Sequence, residues 1–229
     1  MCISGGKDSM LLALLLQDLQ HTVDFDLVFL AMDPGYAPEG RKHLEENAKR
    51  LDIPLEIFDT DVLRVAGVHS AEHPCFLCAK MRRGALCTAL SARGITKLAL
   101  GHHFDDVVET YMLSLFYEVR ISCFSPVTYL DRADITLIRP LLYVPEHYVR
   151  SFAKRHELPI VHNPCPADGN TKRQEIKDLL ESAPALAGLT PTQLRRFQLF
   201  VESGKSFREI AEIEHCKYST VKDLSLIHI

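Results

Sequence analysis

The stretch MCISGGKDSM, residues 1–10, decides how the rest of the chain is read. Cys2 and Ile3 are apolar, Ser4-Gly5-Gly6-Lys7-Asp8-Ser9 is a polar glycine-rich turn, and an apolar run starts at Met10. That order reads as strand, tight loop and helix, which aims backbone N–H groups and a helix N-terminus at an anion. Gly5 and Gly6 let backbone come close to a phosphate, Lys7 brings positive charge, and Asp8 is placed to hold a metal. A turn held by its own helix cap is the plain alternative. Only about three residues of strand precede the loop, where a strand usually has five or six. The expectation is therefore a chain whose amino end lacks the start of this strand.

The rest of the composition bounds the answer. A length of 229 residues suits one main domain with a small appendage. A hydrophobic content of 47% is enough for a real core. No apolar run approaches the ~20 residues of a membrane span, and the longest, MLLALLLQDL, follows no basic segment as in a signal peptide. The reading is a cytoplasmic chain without a membrane partner. Its net charge of -4 argues against a surface dominated by phosphate-backbone contacts. Seven cysteines in such a chain point to metal or redox chemistry rather than to a disulfide framework, Cys75-x-x-Cys78 above all.

Outward from the loop, strands and helices alternate. Helices are expected over residues 9–19, 40–53, 79–92, 105–117 and 145–157. Strands are expected over 26–33, 54–60 and 96–101, and in ITLIRPL. The pattern gives an α/β fold, a Rossmann-like parallel sheet with helices on both faces. Ligands of such sheets lie beyond the carboxyl ends of the strands. The loop of residues 4–9, the turn at Met32 and Asp33, and the turn at Gly101 and His102 all follow strands. They should converge on one crevice.

The loop lacks the G-x-x-x-x-G-K-[ST] order of a Walker-type site. Its companion is GHHFDDVVET, residues 101–110. There Asp105 and Asp106 open a helix, either as cap and dipole partner or as Mg²⁺ ligands beside phosphates. Together SGGKDS and GHHFDDVVET resemble the pyrophosphatase-loop ATP enzymes, whose fold is adenine nucleotide alpha hydrolase-like. PCFLCAKMRRGAL, FSPVTYLDR, LIRPLLYVPE and NPCPADGNTKRQEIKDLL narrow the likeness to the tRNA 2-thiocytidine synthetase family, over roughly residues 2–181, within a pyrophosphatase-loop domain expected over 1–182.

The cysteines agree with that family. Cys75 and Cys78, read as lying on one loop, have the spacing for two thiolates on one metal. Cys165 lies between Pro164 and Pro166, in a rigid loop at the crevice. Three thiolates suit a 4Fe–4S cluster with one iron left open, and the resemblance implies the same three ligands. Zinc, or a redox dithiol with Cys165 apart from it, is the alternative. Cys2, Cys87 and Cys123 read as core residues.

The resemblance further implies a reaction. ATP places its phosphates on residues 4–9 and its adenine near Met32 and Asp33, with Gly101 and His102 close by. Lys7, Asp8, Asp105 and Asp106 serve catalysis, Asp8 and Asp106 as the Mg²⁺ carboxylates. A tRNA base, cytidine by resemblance, is adenylylated and its oxygen replaced by sulfur. Arg82 and Arg83 hold substrate phosphate or are solvated helix charges. tRNA, a sulfur donor such as a cysteine desulfurase, and a homodimer are the partners that follow.

Beyond a linker at 183–188, residues 189–223 form a small all-helical appendage with two capping boxes. It resembles the helix-turn-helix of LuxR-type regulators and sigma-factor region four, either binding DNA or only packing. It keeps a second function class open: a redox-responsive DNA-binding regulator whose nucleotide site is a relic. Intact SGGKDS and GHHFDDVVET favour the enzyme, since a relic needs neither. The last six residues, LSLIHI, match the translation of a transposase sequencing adapter, CTGTCTCTTATACACATC, and are excluded from fold reasoning.

Overall fold

The computed structural model describes residues 1–35, 38–69, 74–118, 122–161, 165, 169, 171–182 and 212. The linker at 183–188, the helix-turn-helix expected over 189–223 and the LSLIHI end lie outside them, Glu212 apart. The elements run α1 (Lys7–Leu19), β1 (Phe29–Asp33), α2 (Pro38–Arg50), β2 (Leu55–Asp59), α3 (Val62–His69), α4 (Pro74–Ser91), β3 (Lys97–Ala99), α5 (Phe104–Tyr117), β4 (Val127–Leu130), β5 (Ile135–Ile138), α6 (Glu146–Arg155) and α7 (Lys172–Ser182). They fall into two units. One holds residues 1–102, 126–142 and 146–168; the other holds 103–125, 143–145 and the chain from 169. Among the described residues no helix is long and apolar enough to cross a membrane.

The first unit contains the sheet. β1 pairs parallel with β2, and β3 parallel with β5. Residues 1–3 join the two pairs. Cys2 N–H donates to Ala99 O at 3.1 Å, and Ile3 N–H donates to Leu30 O at 2.8 Å, with Cys2 bridging Leu30 in parallel. The segment before the loop thus occupies the middle of the sheet. One face buries Leu30, Leu98, Ile135 and Leu137 against Cys87 and Leu90 of α4. Side chains alternate along a strand, so Ile3, Phe29 and Ala31, all buried, belong to the opposite face. α1 packs against α6.

The sheet departs from the sequence reading at one edge, because β4 runs antiparallel to β5. A tight turn through Asp134, at φ +52°, joins them. A hairpin needs only such a turn, whereas a parallel neighbour needs a crossover. α3 and α7 were not expected either. α7 carries a readable cap, Thr171 Oγ1 accepting the Gln174 N–H at 3.2 Å. α4 starts at Pro74, a residue suited to the first helical position. Cys75 and Cys78 are therefore on a helix, not on a loop. In the second unit α5 packs against α7, where Tyr117 Oη donates to Glu175 Oε2 at 2.7 Å.

Candidate active site

Gly5 has φ +83°, a conformation that side chains rarely adopt. A Cβ there would also meet Leu44 Cδ1 at 3.0 Å and Val161 Cβ at 3.2 Å. Its carbonyl accepts the Val161 N–H at 2.9 Å. Gly6 is the N-cap of α1, in extended conformation and with no side-chain cap. Ser9 ties the loop from inside the helix. Its Oγ accepts the Ser4 N–H at 3.3 Å and donates to Gly6 O at 3.0 Å, with Ser4 Oγ at 3.2 Å. The N–H groups of a helix's first turn have no acceptor within the helix, and here they follow a cap without a side chain.

A cavity of about 380 Å³ opens beside this loop, a size suited to a small-molecule ligand. Ser4 and Gly6 wall it on the loop side, Met32 and Asp33 at the end of β1, Arg41 on α2, and Arg82 and Leu86 on α4. Asp33 closes the turn after β1 by accepting the Gly35 N–H at 2.9 Å. Arg41 is engaged by Asp59 and Glu45. Arg82 and Cys2 line the same cavity; burial pushes the Cys2 thiol's pKa up and the charge of the guanidinium pulls it back. The predicted residues Ser4, Gly6, Met32, Asp33 and Arg82 thus meet around one cavity. Gly5, Lys7, Asp8, Ser9, Arg83, Gly101, His102, Asp105 and Asp106 are not among its walls.

Lys7 and Asp8 follow Gly6 in the first turn of α1. Lys7 Nζ lies 3.1 Å from Asp8 Oδ2 and 2.8 Å from Glu146 Oε1. Burial by itself would lower the lysine's pKa, but bonds to Glu146 and Asp8 outweigh it and hold the ammonium above its ordinary value. Glu146 Oε2 in turn meets Arg150 Nη2 at 2.7 Å. Gly101 has a packing role. A Cβ there would come within 3.0 Å of the Asp8 carbonyl carbon and 3.1 Å of the Ser9 nitrogen, both backbone.

Asp105, Asp106 and Glu109 belong to the second unit. The N-cap of α5 is His103, and the capping carboxylate is Asp106, not Asp105: the His103 N–H donates to Asp106 Oδ2 at 2.9 Å. Asp105 is 44% exposed. Arg173 of α7 donates to Glu109 Oε2 at 2.8 Å and to Thr110 Oγ1 at 3.0 Å, with Asp106 Oδ1 at 3.8 Å. Glu109 is buried, and burial raises its pKa although Arg173 opposes the shift.

Cys78 and Cys165 are both half-buried in the first unit, while the Cys75 side chain lies outside the described ones. Among the described residues no group of three or more His, Cys, Asp or Glu is arranged to hold a metal. Of the cysteines read as core, Cys87 is in the core cluster. Cys2 packs on that cluster but also opens to the cavity, and Cys123 is half-buried in the stretch before β4. Sequence reasoning missed Glu146 and Arg173. Both stand in stretches quoted for the resemblance, Glu146 directly after Pro145 at a helix start, but neither sits in a chemical motif of its own.

Comparison with known proteins bears on these features directly. Residues 1–183 match the PP-loop domain. The tRNA-cytidine(32) 2-sulfurtransferase of Xanthomonas euvesicatoria pv. vesicatoria (strain 85-10) is 33% identical over 216 residues, 87% of this chain and 71% of the relative. That of Xanthomonas campestris pv. campestris (strain 8004) is also 33% identical, with 72% of its length matched. The structure of the U34-tRNA thiolase NcsA from Methanococcus maripaludis, with its [4Fe-4S] cluster, superposes with a TM-score of 0.72 at 24% identity. It covers 88% of this chain and 71% of that one. A glycine-capped loop on the central strand and sequence similarity over most of the chain agree, and the chain belongs to the PP-loop family, in its tRNA 2-thiocytidine synthetase-like branch.

Proposed function

We propose that the protein is an ATP-dependent tRNA sulfurtransferase that replaces a cytidine oxygen by sulfur. The observation that carries this reading is the cavity bounded by the uncapped loop and the end of β1, in a chain 33% identical to tRNA-cytidine sulfurtransferases. ATP fits with its phosphates on Ser4, Gly5, Gly6, Lys7 and Ser9 and its base toward Met32 and Asp33. Arg82, in the cavity wall, is assigned to substrate phosphate, and Arg83 to contacts outside the cavity. The carbonyl oxygen of the base attacks the α-phosphorus, the bond to the bridging oxygen breaks, and pyrophosphate leaves. Lys7 offsets charge that builds on the phosphate oxygens. A sulfur nucleophile from a donor such as a cysteine desulfurase then adds at the activated carbon, and AMP departs with the former carbonyl oxygen.

Two inorganic groups suit the residues. Asp8 puts a carboxylate in the first turn of α1 and would hold Mg²⁺, which supplies further charge neutralisation at phosphate oxygens. Asp105 and Asp106 are assigned a catalytic contribution from the start of α5. Cys75 and Cys78, three positions apart on α4, and Cys165 would hold a 4Fe–4S cluster. Unlike buried Cys87, Cys78 and Cys165 are half-buried, as accessible ligands must be. When bound, such a cluster supplies an iron open to sulfide.

The test is mass spectrometry of tRNA nucleosides from a deletion strain carrying the full-length gene. Wild type should restore a thiolated cytidine. Cys78→Ala should fail to do so and lose the visible absorption of anaerobically reconstituted protein, while Cys87→Ala keeps both. Absence of any thiolated nucleoside with the wild-type gene overturns the substrate. Stoichiometric zinc in anaerobic protein overturns the cluster.

A further inference from the structure

We propose that Glu146 is a positioning residue for nucleotide binding, acting through Lys7: it anchors the lysine's ammonium from a second helix, so that Asp8 is not its sole anionic partner. The inference rests on the reading of the loop as the ATP phosphate site. Its basis is a three-member chain of contacts within the first unit. Glu146 opens α6 and is only 8% exposed. One of its oxygens meets Lys7 Nζ at 2.8 Å and the other meets Arg150 Nη2 at 2.7 Å. Both oxygens are therefore fixed, and the carboxylate cannot swing away without breaking a second pair. The helix that carries it packs on α1, the helix that carries Lys7.

The consequence follows from what Lys7 would do otherwise. Asp8 Oδ2 lies 3.1 Å from Nζ, on the adjacent residue. Without Glu146 the ammonium's remaining anionic contact is Asp8. Pairing with Asp8 alone would draw the ammonium fully onto that carboxylate, away from phosphate, and mask the negative charge of Asp8 at once. A second anchor from a different helix divides the ammonium between two carboxylates. The geometry also explains why a glutamate deep in the chain serves a loop at its start: α1 and α6 are neighbours only after the sheet has formed.

The experiment is calorimetric titration of the full-length protein with a non-hydrolysable ATP analogue, without tRNA, together with pyrophosphate release. Misplacing a positioning group by about 1 Å can cost up to ~100-fold, so Glu146→Gln should weaken analogue binding roughly ten-fold or more at unchanged fold. Glu146→Asp should recover part of that loss. In the Lys7→Ala background, Glu146→Gln should add nothing, because a residue that acts only through Lys7 has nothing left to act on. A full additive loss in that background means that Glu146 is merely structural and overturns the proposal. Unchanged or tighter binding in Glu146→Gln does the same. If Lys7→Ala itself leaves binding intact, the phosphate-site reading fails instead, and the two failures are told apart.

Discussion

The starts of α1 and α5 are the same kind of place, a helix opening shortly after a sheet strand, and they are finished differently. At α5 the helix closes its own end: Asp106 turns back to accept the His103 N–H, and Arg173 reaches in from α7 to Glu109. At α1 the cap is Gly6, which has no side chain to offer, and the residues around it wall a cavity. Ser9, at the equivalent position to Asp106, spends its hydroxyl on the loop rather than on an added anion. A helix end satisfied by its own carboxylate has little left for an external anion. A helix end capped by glycine keeps its dipole and its N–H groups available for one. The proposed anion site is thus marked by what the sequence leaves out at the cap as much as by the residues it supplies.

The largest expected effect removes the cation from the open end. Lys7→Ala should abolish pyrophosphate release while leaving the iron content of reconstituted protein intact, measured on the same preparation. Unchanged release would erase the functional distinction between the two helix starts.

Next, the open end can be closed with a carboxylate at the cap itself. Gly6 has an ordinary extended conformation, and the heavy atom nearest an added Cβ is Ser4 Oγ at 3.7 Å, so Gly6→Asp fits sterically. The new carboxylate should cap α1 and raise the melting temperature slightly, since aspartate exceeds glycine as a cap by a few tenths of a kcal/mol. ATP binding should fall sharply, because an internal anion now occupies the place of phosphate. Retained ATP binding would break the comparison.

The carboxylates of α5 sharpen it. Asp106→Ala should cost about 1 kcal/mol of stability, as loss of a cap does, in addition to any loss of turnover. Asp105→Asn touches no cap and should lower turnover with the melting temperature unchanged. Melting curves and tRNA thiolation on both variants separate the two contributions. If both retain full turnover, α5 is a capped helix and nothing more.

The smallest effect is the pH dependence of stability near Glu109. Its pKa in the folded protein is raised above the ordinary 4.5, chiefly by burial. The folded state therefore holds its proton more tightly than the unfolded chain. The stabilisation is fully present below about pH 4.5 and is lost as pH rises through the folded value. Melting temperatures from pH 4 to 7 should show this decline in the wild type and a flatter profile in Glu109→Gln. An identical profile would show that Arg173 fully compensates burial.

Much of this was legible in the sequence for local reasons. Gly5, Gly6 and the apolar run from Met10 specify a turn and a helix, because backbone freedom and side-chain period act over a few residues. The same holds for the alternation of strands and helices, and for the helix that follows Gly101. The cap of α7 was equally local, with Thr171 and Gln174 three apart, and was readable in principle. The start of α4 was harder: Cys-x-x-Cys is compatible with loop or helix, and only Pro74 in front of it favoured the helix.

What the sequence by itself determined is the α/β alternation and the chemistry of the loop, Ser4 through Ser9, since these depend on residues adjacent in the chain. The tertiary structure alone decided which remote groups complete them. It set Glu146 against Lys7, Arg173 against Glu109, and Gly101 so close to Asp8 that a Cβ would crowd its backbone. It also seated residues 1–3 between β1 and β3 and turned β4 antiparallel at the edge. An ion pair leaves no periodic trace, because its partners are brought together by crossovers whose course depends on how the whole sheet packs.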